Sequence, residues 1–389
     1  MTANQIPQQK RLRIAVLARI FATSAGGAER YCASLVKHLA PRHEIHVFAQ
    51  DIRTSNPQVV FHPVPLFCRR PRWLNQIAFA FYTWWQTRKG FDVVHSHENT
   101  WHGDVQTIHV LPFRYLWFFN RTGVARFLRY VQLVTSPRLL TYWFLEKLRM
   151  RHQQGRFLVA VSEPVSAVLH NNLQYETENI RIIPPGIEIT YAHDSHEKKQ
   201  ARLNWGLPLQ GQCLLWAGNN ATKKGLPTLL QALSQLPENI FLVIVGLASP
   251  ENVWRTQATS LELENRIYFK GVVEDMAIAY TAADLLVHPT LEDTFGMVVL
   301  EAMSHAVPAV VSAAQYCGIS AGLQHLVNAW ILNNPLDSHD LKQAIEKTLE
   351  PSTHISLGQQ ALAWASTQDW KHLALSQEAL YYDVVRLKE

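Results

Sequence analysis

Short apolar runs rich in β-branched residues recur along this chain, and amphipathic stretches at helical spacing separate them. In the first half the runs predict strands at Ile14–Leu17, Ile45–Phe48, Val59–His62, Val93–His95, Val105–Ile108 and Phe157–Val161. Helical patterns fall between them at 28–39, 74–87, 123–151 and 163–171. The second half repeats the rhythm, with strands at Cys213–Ala217, Phe241–Val245, Ile267–Lys270, Leu285–Val287 and Ala309–Val311. Its helices are expected at 226–236, 250–263, 276–282 and 297–305. Continuous apolar strands alternating with helices indicate parallel sheets covered on both faces. Two such series in tandem predict an α/β protein of two Rossmann-like domains, with ligand crevices at the carboxyl ends of the strands. Pro, Gly, Asp and Lys break the rhythm between 184 and 207, where a linker is expected.

The stretch from Asp284 to Ser312 carries the most chemistry. A buried strand ends in a turn with Glu292 and Asp293, a helix is expected to start near Phe295–Gly296, and another strand follows. Unpaired backbone donors and the dipole at a helix start attract anions. Asp293 and Glu301, eight residues apart, suit sugar and ribose hydroxyls. Glu301 sits among Leu300, Ala302 and Met303, where an unpartnered carboxylate is costly. Asp293 also reads as a plain helix cap. Lys223 and Lys224 stand between a strand and a helix, just before Gly225. A fixed cation there can meet a departing diphosphate and stabilise the transition state more than the ground state. A solvated lysine pair is the plainer reading of the same residues. Gly26 and Gly27 follow the first strand, where glycine permits close backbone approach and positive φ.

In order along the chain, four motifs resemble those of the retaining GT-B glycosyltransferases of family 4. They are Gly26-Gly27-Ala28-Glu29-Arg30, Ile183-Pro184-Pro185-Gly186-Ile187, Ala217 to Gly225, and Asp293-x7-Glu301, whose first acid is usually Glu. The spacing is most similar to that of lipopolysaccharide core glucosyltransferases. The resemblance implies a GT-B fold, two Rossmann-like domains facing across a cleft. It places the acceptor domain at 1–190, the nucleotide-sugar domain at 191–368, and a last helix, 369–389, returning to the first domain. It implies catalytic roles for Lys224, Asp293 and His109. It assigns donor binding to Gly26, Gly27, Gly218, Asn219, Lys223, Lys224, Thr294, Phe295, Gly296, Met297, Val298 and Glu301. Many members carry Arg where Asn219 stands, so Lys223 is the candidate second cation. Glu98 is a weaker candidate, near the acceptor. The implied reaction moves a hexose from a nucleotide sugar, a UDP-sugar first, to a lipid-linked or phosphorylated glycan. No cofactor beyond the donor and no metal is expected, since the sequence has neither an HExxH nor a Cys-His ligand grouping. A GT-B epimerase or phosphorylase, or a silent binding subunit, is the alternative. Turnover of donor without acceptor separates the first, and binding without turnover the last.

Charge adds a partner. Residues 1–190 hold 23 Lys and Arg against 11 acids, and the remainder holds 13 against 20. The segments 68–89 and 112–156 interleave the basic residues with Trp, Tyr and Phe, as a lipid headgroup layer favours. An anionic inner-membrane surface is therefore expected to meet the first domain, with core packing as the plain alternative for the aromatics. Nucleic acid is not expected, because the rest of the chain describes a sugar-nucleotide site. The four cysteines lack a CxxC pair and read as reduced thiols. No run of about 18 apolar residues occurs. Together these features place the protein in the cytoplasm, peripheral to the membrane.

Overall fold

The computed structural model describes residues 10–23, 26–189, 195–247 and 251–389. They form two compact units. The first comprises the residues up to Val161, Val165–Ile183 and Trp370–Glu389; the second comprises Ser162–Pro164 and Pro184–Asp369.

The first unit is built on a seven-stranded sheet. Its strands run in the spatial order Val59–Pro63, Glu44–Ala49, Arg13–Leu17, Val93–Ser96, Val105–Ile108, Phe157–Ala160 and Ile180–Ile182, all parallel. The winding reverses between Arg13–Leu17 and Val93–Ser96, and a crevice opens at the carboxyl ends of strands at such a point. The last helix, Trp370–Lys388, packs Trp370, Ala374, Leu380, Tyr381 and Val384 into this unit's core. Its buried Glu378 takes Arg42 at 2.7 Å and His43 at 2.8 Å, which fixes the helix beside Gly27–Leu39.

The second unit carries a six-stranded parallel sheet in the order Ile267–Phe269, Ile240–Val245, Gln212–Ala217, Leu285–His288, Ala309–Ser312 and Trp330–Leu332. Here the reversal lies between Gln212–Ala217 and Leu285–His288. The two segments that leave the carboxyl ends of these strands carry Lys224 and Asp293.

Several expectations need correction. The helix expected over 123–151 is two helices, Gly123–Thr135 and Pro137–Arg149. Pro137 has no N–H to continue the first helix, and it begins the second with Ser136 as the cap. A short helix, Phe113–Phe118, precedes them. The expected linker contains a helix, Ser195–Asn204, while residues 190–194 lie outside the described residues. So does Pro250, expected to open the helix observed as Glu251–Ser260. No described helix is long and apolar enough to cross a membrane.

Candidate active site

After the strand Gln212–Ala217 the chain turns tightly through 220–225 before the helix Leu226–Leu233. Asn220 organises this turn: its side chain accepts from Lys223 N at 3.0 Å and its carbonyl from Lys224 N at 2.9 Å. A second clamp ties the turn to the loop after Leu285–His288. The Lys223 carbonyl accepts from Leu291 N at 2.8 Å and from the Thr290 hydroxyl at 3.1 Å. Gly225 completes the fit, with φ +71° and its α-carbon so near the loop that a Cβ would lie 1.9 Å from the Pro289 oxygen. Gly218 leaves room for Lys224 itself, because a Cβ there would come within 3.1 Å of the lysine Cγ. Asn219 is exposed beside it.

The clamp brings cations and acids together. Lys224 Nζ donates to Asp293 Oδ2 at 2.5 Å and to the Glu292 carbonyl at 3.1 Å, and is itself mostly buried. His288 Nε2 lies 3.1 Å from the same Asp293 oxygen, while Phe295 N donates to Oδ1 at 3.3 Å. Burial alone would raise the Asp293 carboxyl, but the His288 hydrogen bond and the Lys224 charge outweigh it and hold the group below the usual carboxylate range. Burial pushes the His288 ring down, against the pull of Asp293. Lys223 pairs with Glu292 at 2.9 Å in an exposed position. Such surface pairs contribute about 0–1 kcal/mol and are easily redirected.

Backbone pairing fixes this loop: Asp293 N donates to Tyr316 O at 2.7 Å, Gly318 N to Asp293 O at 3.0 Å, and the Ser162 hydroxyl to Thr294 O at 2.6 Å. The helix starts at Met297, as the pattern over 297–305 predicts, with Gly296 as its cap at φ +99°. Asp293 is therefore not the helix cap, and the Phe295 N–H is already spent on Asp293. Met297 and Val298 keep accessible surface at the helix start, whereas Phe295 and Gly296 are buried. Glu301 lies just over one turn into the helix. It is 3% exposed, and its Oε2 accepts from Tyr280 OH at 2.6 Å. Neither His288 nor Tyr280 was singled out from sequence as a partner for these acids. Their spacing gave no sign, because the contacts depend on how neighbouring segments fold.

His288, Asp293 and Cys317 bring one ligand atom each within 4.8 Å of one another, the one such trio among the described residues. Their chemistry fits a metal poorly. The Lys224 ammonium already occupies the Asp293 oxygen, and burial pushes the Cys317 thiol well above its ordinary range, away from the thiolate a metal needs.

Gly26, Gly27 and His109 belong to the first unit. Gly26 caps the helix Gly27–Leu39 at φ −67°, so positive φ is not why glycine stands there. His109 follows Val105–Ile108, and its Nε2 lies 2.9 Å from His97 Nδ1. Burial, aided by the Arg149 charge, lowers the His109 ring to about 3, so it is neutral at pH 7. Glu98 is held by Arg19 at 2.8 Å.

The same unit has a helix with a mixed inner face and an apolar outer one. Arg72–Thr87 buries Asn75, Gln76, Thr83 and Thr87 beside Phe79 and Ala80, and leaves Leu74, Ile77, Phe81 and Trp85 in solvent. Asn75 and Gln50 bond reciprocally at 2.9 and 3.0 Å, and Gln76 donates to the Asn99 carbonyl at 3.1 Å. Gly123–Thr135 buries Leu133 alone, and Val124, Phe127, Leu128, Val131 and Val134 are exposed. Two basic residues of the expected surface face inward: Arg149 bonds Gln106 and the Thr107 carbonyl, and Arg156 bonds the Gly103 and Trp101 carbonyls.

The chain matches the family described as Glycosyltransferase Family 4 over residues 25–191 and that described as Glycosyl transferases group 1 over residues 197–361. Lipopolysaccharide glucosyltransferase WaaG of Escherichia coli (strain K12) is 26% identical over 242 residues, 60% of this chain and 64% of that protein. A D-inositol 3-phosphate glycosyltransferase of Xylanimonas cellulosilytica is 30% identical over 176 residues, 42% of this chain and 41% of that protein. Both matches span less than two-thirds of the relative. In fold, the crystal structure of WaaG superposes with a TM-score of 0.79 at 21% identity, covering 94% of this chain and 98% of that one. HepE of Anabaena, crystallised with UDP-glucose, gives 0.74 at 19% identity, covering 95% and 99%.

Proposed function

This chain belongs to the GT-B glycosyltransferases of family 4, and from that premise we propose that it transfers a hexose, with retention, from a nucleotide sugar to a lipid-linked or phosphorylated glycan. A UDP-sugar is the first choice of donor and a lipopolysaccharide core the first choice of acceptor, in line with the names of HepE's ligand and of WaaG. The observation that carries the reading is the Lys224–Asp293–His288 cluster at the winding reversal of the second sheet.

Donor capacity supports a working arrangement for the cluster. An ammonium has three donors. Lys224 spends two on Glu292 O and Asp293, leaving one for a diphosphate oxygen. An ionised carboxylate offers about four acceptor positions. Asp293 uses three, leaving one for a sugar hydroxyl. Met297 and Val298 add N–H groups at the helix start, and Glu301, held by Tyr280, takes the ribose hydroxyls. The acceptor hydroxyl attacks from the leaving group's side, and the departing phosphate oxygen takes its proton. Lys224 offsets the charge gained as the sugar–oxygen bond breaks, with Lys223 as the second cation. His109, neutral, serves as a hydrogen-bonding group and not as a charge. In this reading the reaction needs no metal and no cofactor besides the donor.

Glu301→Gln tests the nucleotide assignment. A carboxylate accepts from both ribose hydroxyls, and an amide can do so only in part. Losing one bond to a charged acceptor, about 1.5 kcal/mol or more, weakens UDP binding roughly tenfold in a titration. Unchanged affinity contradicts the role.

The exposed apolar residues of Arg72–Thr87 and of Gly123–Thr135 support a second element of the proposal: the first unit rests on an anionic membrane surface, where apolar side chains enter the interface and basic ones meet phosphates.

A further inference from the structure

A cavity of about 300 Å³ opens between the helices Phe113–Phe118, Gly123–Thr135 and Pro137–Arg149. We propose that it binds one anionic phospholipid molecule, with the headgroup phosphate between Arg114 and Arg126 and the start of the acyl chains against Tyr115, Phe118, Tyr130 and Trp143. The inference rests on the membrane part of the proposed function and turns a diffuse surface into a discrete site.

Charge is the first argument. Residues 112–156 carry nine Lys and Arg against one acid, Glu146. That acid is 5% exposed and faces inward, where its carboxylate accepts from the backbone N–H groups of Phe113 and Arg114. It is bonded to the start of the short helix and, although its charge is felt at Arg114, forms no ion pair with that residue. Among the described residues neither the Arg114 nor the Arg126 side chain has a hydrogen-bond or ion-pair partner. Two unpaired guanidiniums at one concave site suit a phosphate, which accepts forked hydrogen bonds.

The walls are the second argument. Phe118 and Tyr130 pack ring on ring at 4.6 Å, and join Phe113–Phe118 to Gly123–Thr135. The lining is apolar, aromatic rings and Leu173, except for the arginines, the tyrosine hydroxyls and Asn172. A phosphorylated glycan would need many more polar partners than this. A phosphate carrying an alkyl chain needs the combination present, and the exposed Val124, Phe127 and Leu128 nearby would continue into the bilayer. Ligand pockets typically run about 300–1,000 Å³, so this one holds a headgroup and the first methylenes but not whole acyl tails.

The probe is dihexanoyl phosphatidylglycerol, kept monomeric below its micelle concentration and titrated into the full chain with tryptophan fluorescence as readout. Saturable one-to-one binding is expected. It falls at least tenfold in Arg114→Gln/Arg126→Gln and in Asn172→Trp, which narrows the cavity and leaves its charge intact. It persists in Arg121→Gln/Arg138→Gln, where exposed arginines outside the lining are removed. Inorganic phosphate at equal concentration does not displace it. Non-saturable binding, equal loss in the two arginine pairs, or full displacement by phosphate overturns the proposal; the last would leave a phosphate site without a lipid. UDP titrated into the same samples separates the two readings, because a chain that binds UDP but not the lipid loses this inference alone.

Discussion

Lys224→Ala is expected to lower turnover by about 10²–10³-fold at saturating donor, since removing one preorganised donor aimed at developing charge costs about 3–4 kcal/mol. The loss falls on the catalytic step because the third ammonium donor meets the diphosphate most strongly as it departs. The fold survives: Asp293 keeps its bonds to His288 and Phe295 N, and the turn is held by backbone contacts that a substitution at the lysine side chain does not touch. Release of nucleoside diphosphate, with a membrane glycolipid extract as acceptor, measures the effect. Near-wild-type turnover removes Lys224 from the chemistry.

Gly225→Ala is expected to fail differently. The residue sits at φ +71°, where an L side chain costs about 1–2 kcal/mol. Its Cβ would also lie 1.9 Å from the Pro289 oxygen, and neither backbone can yield without breaking the clamp at Lys223. A destabilisation on the order of 3 kcal/mol follows, which shifts the urea midpoint of the second unit down by about 1 M or more. Donor binding weakens with it, because the turn and the Asp293 loop part together. An unchanged midpoint would show that the close approach is not rigid.

The long elements were legible in the sequence because their patterns are long. Continuous apolar runs such as Leu285–His288 or Ile240–Val245 are the signature of a strand buried on both faces. Ile20–Phe21 and Asp51–Ile52 pair as a two-residue ladder, too short for any period to register. Trp330–Leu332 was missed for the same reason. The helix Ser338–Leu349 did carry its signal, an Asp337 cap before an amphipathic run, and so did the break at Pro137. At the site, the types of residue were readable and their mutual arrangement was not. Lys224 and Asp293 lie 69 residues apart and meet because two neighbouring strands end side by side. That Asp293 arrives already bonded to three donors, and that Asn75, Gln76 and Thr83 share the inner face of Arg72–Thr87 with Phe79 and Ala80, follow from packing that no local pattern encodes.

In the proposed reaction protein cations, and Lys224 first, hold the nucleoside diphosphate in the second unit. Calorimetric titration of UDP and of uridine in the presence of EDTA, into the native chain and Lys224→Ala, tests it most directly. UDP is expected to bind the native chain without metal and to lose roughly tenfold or more in affinity in the variant, one charge-assisted bond being worth about 1.5 kcal/mol or more, while uridine binds both alike. UDP binding that appears only when magnesium or manganese is restored, or that is equal in the two proteins, would contradict it.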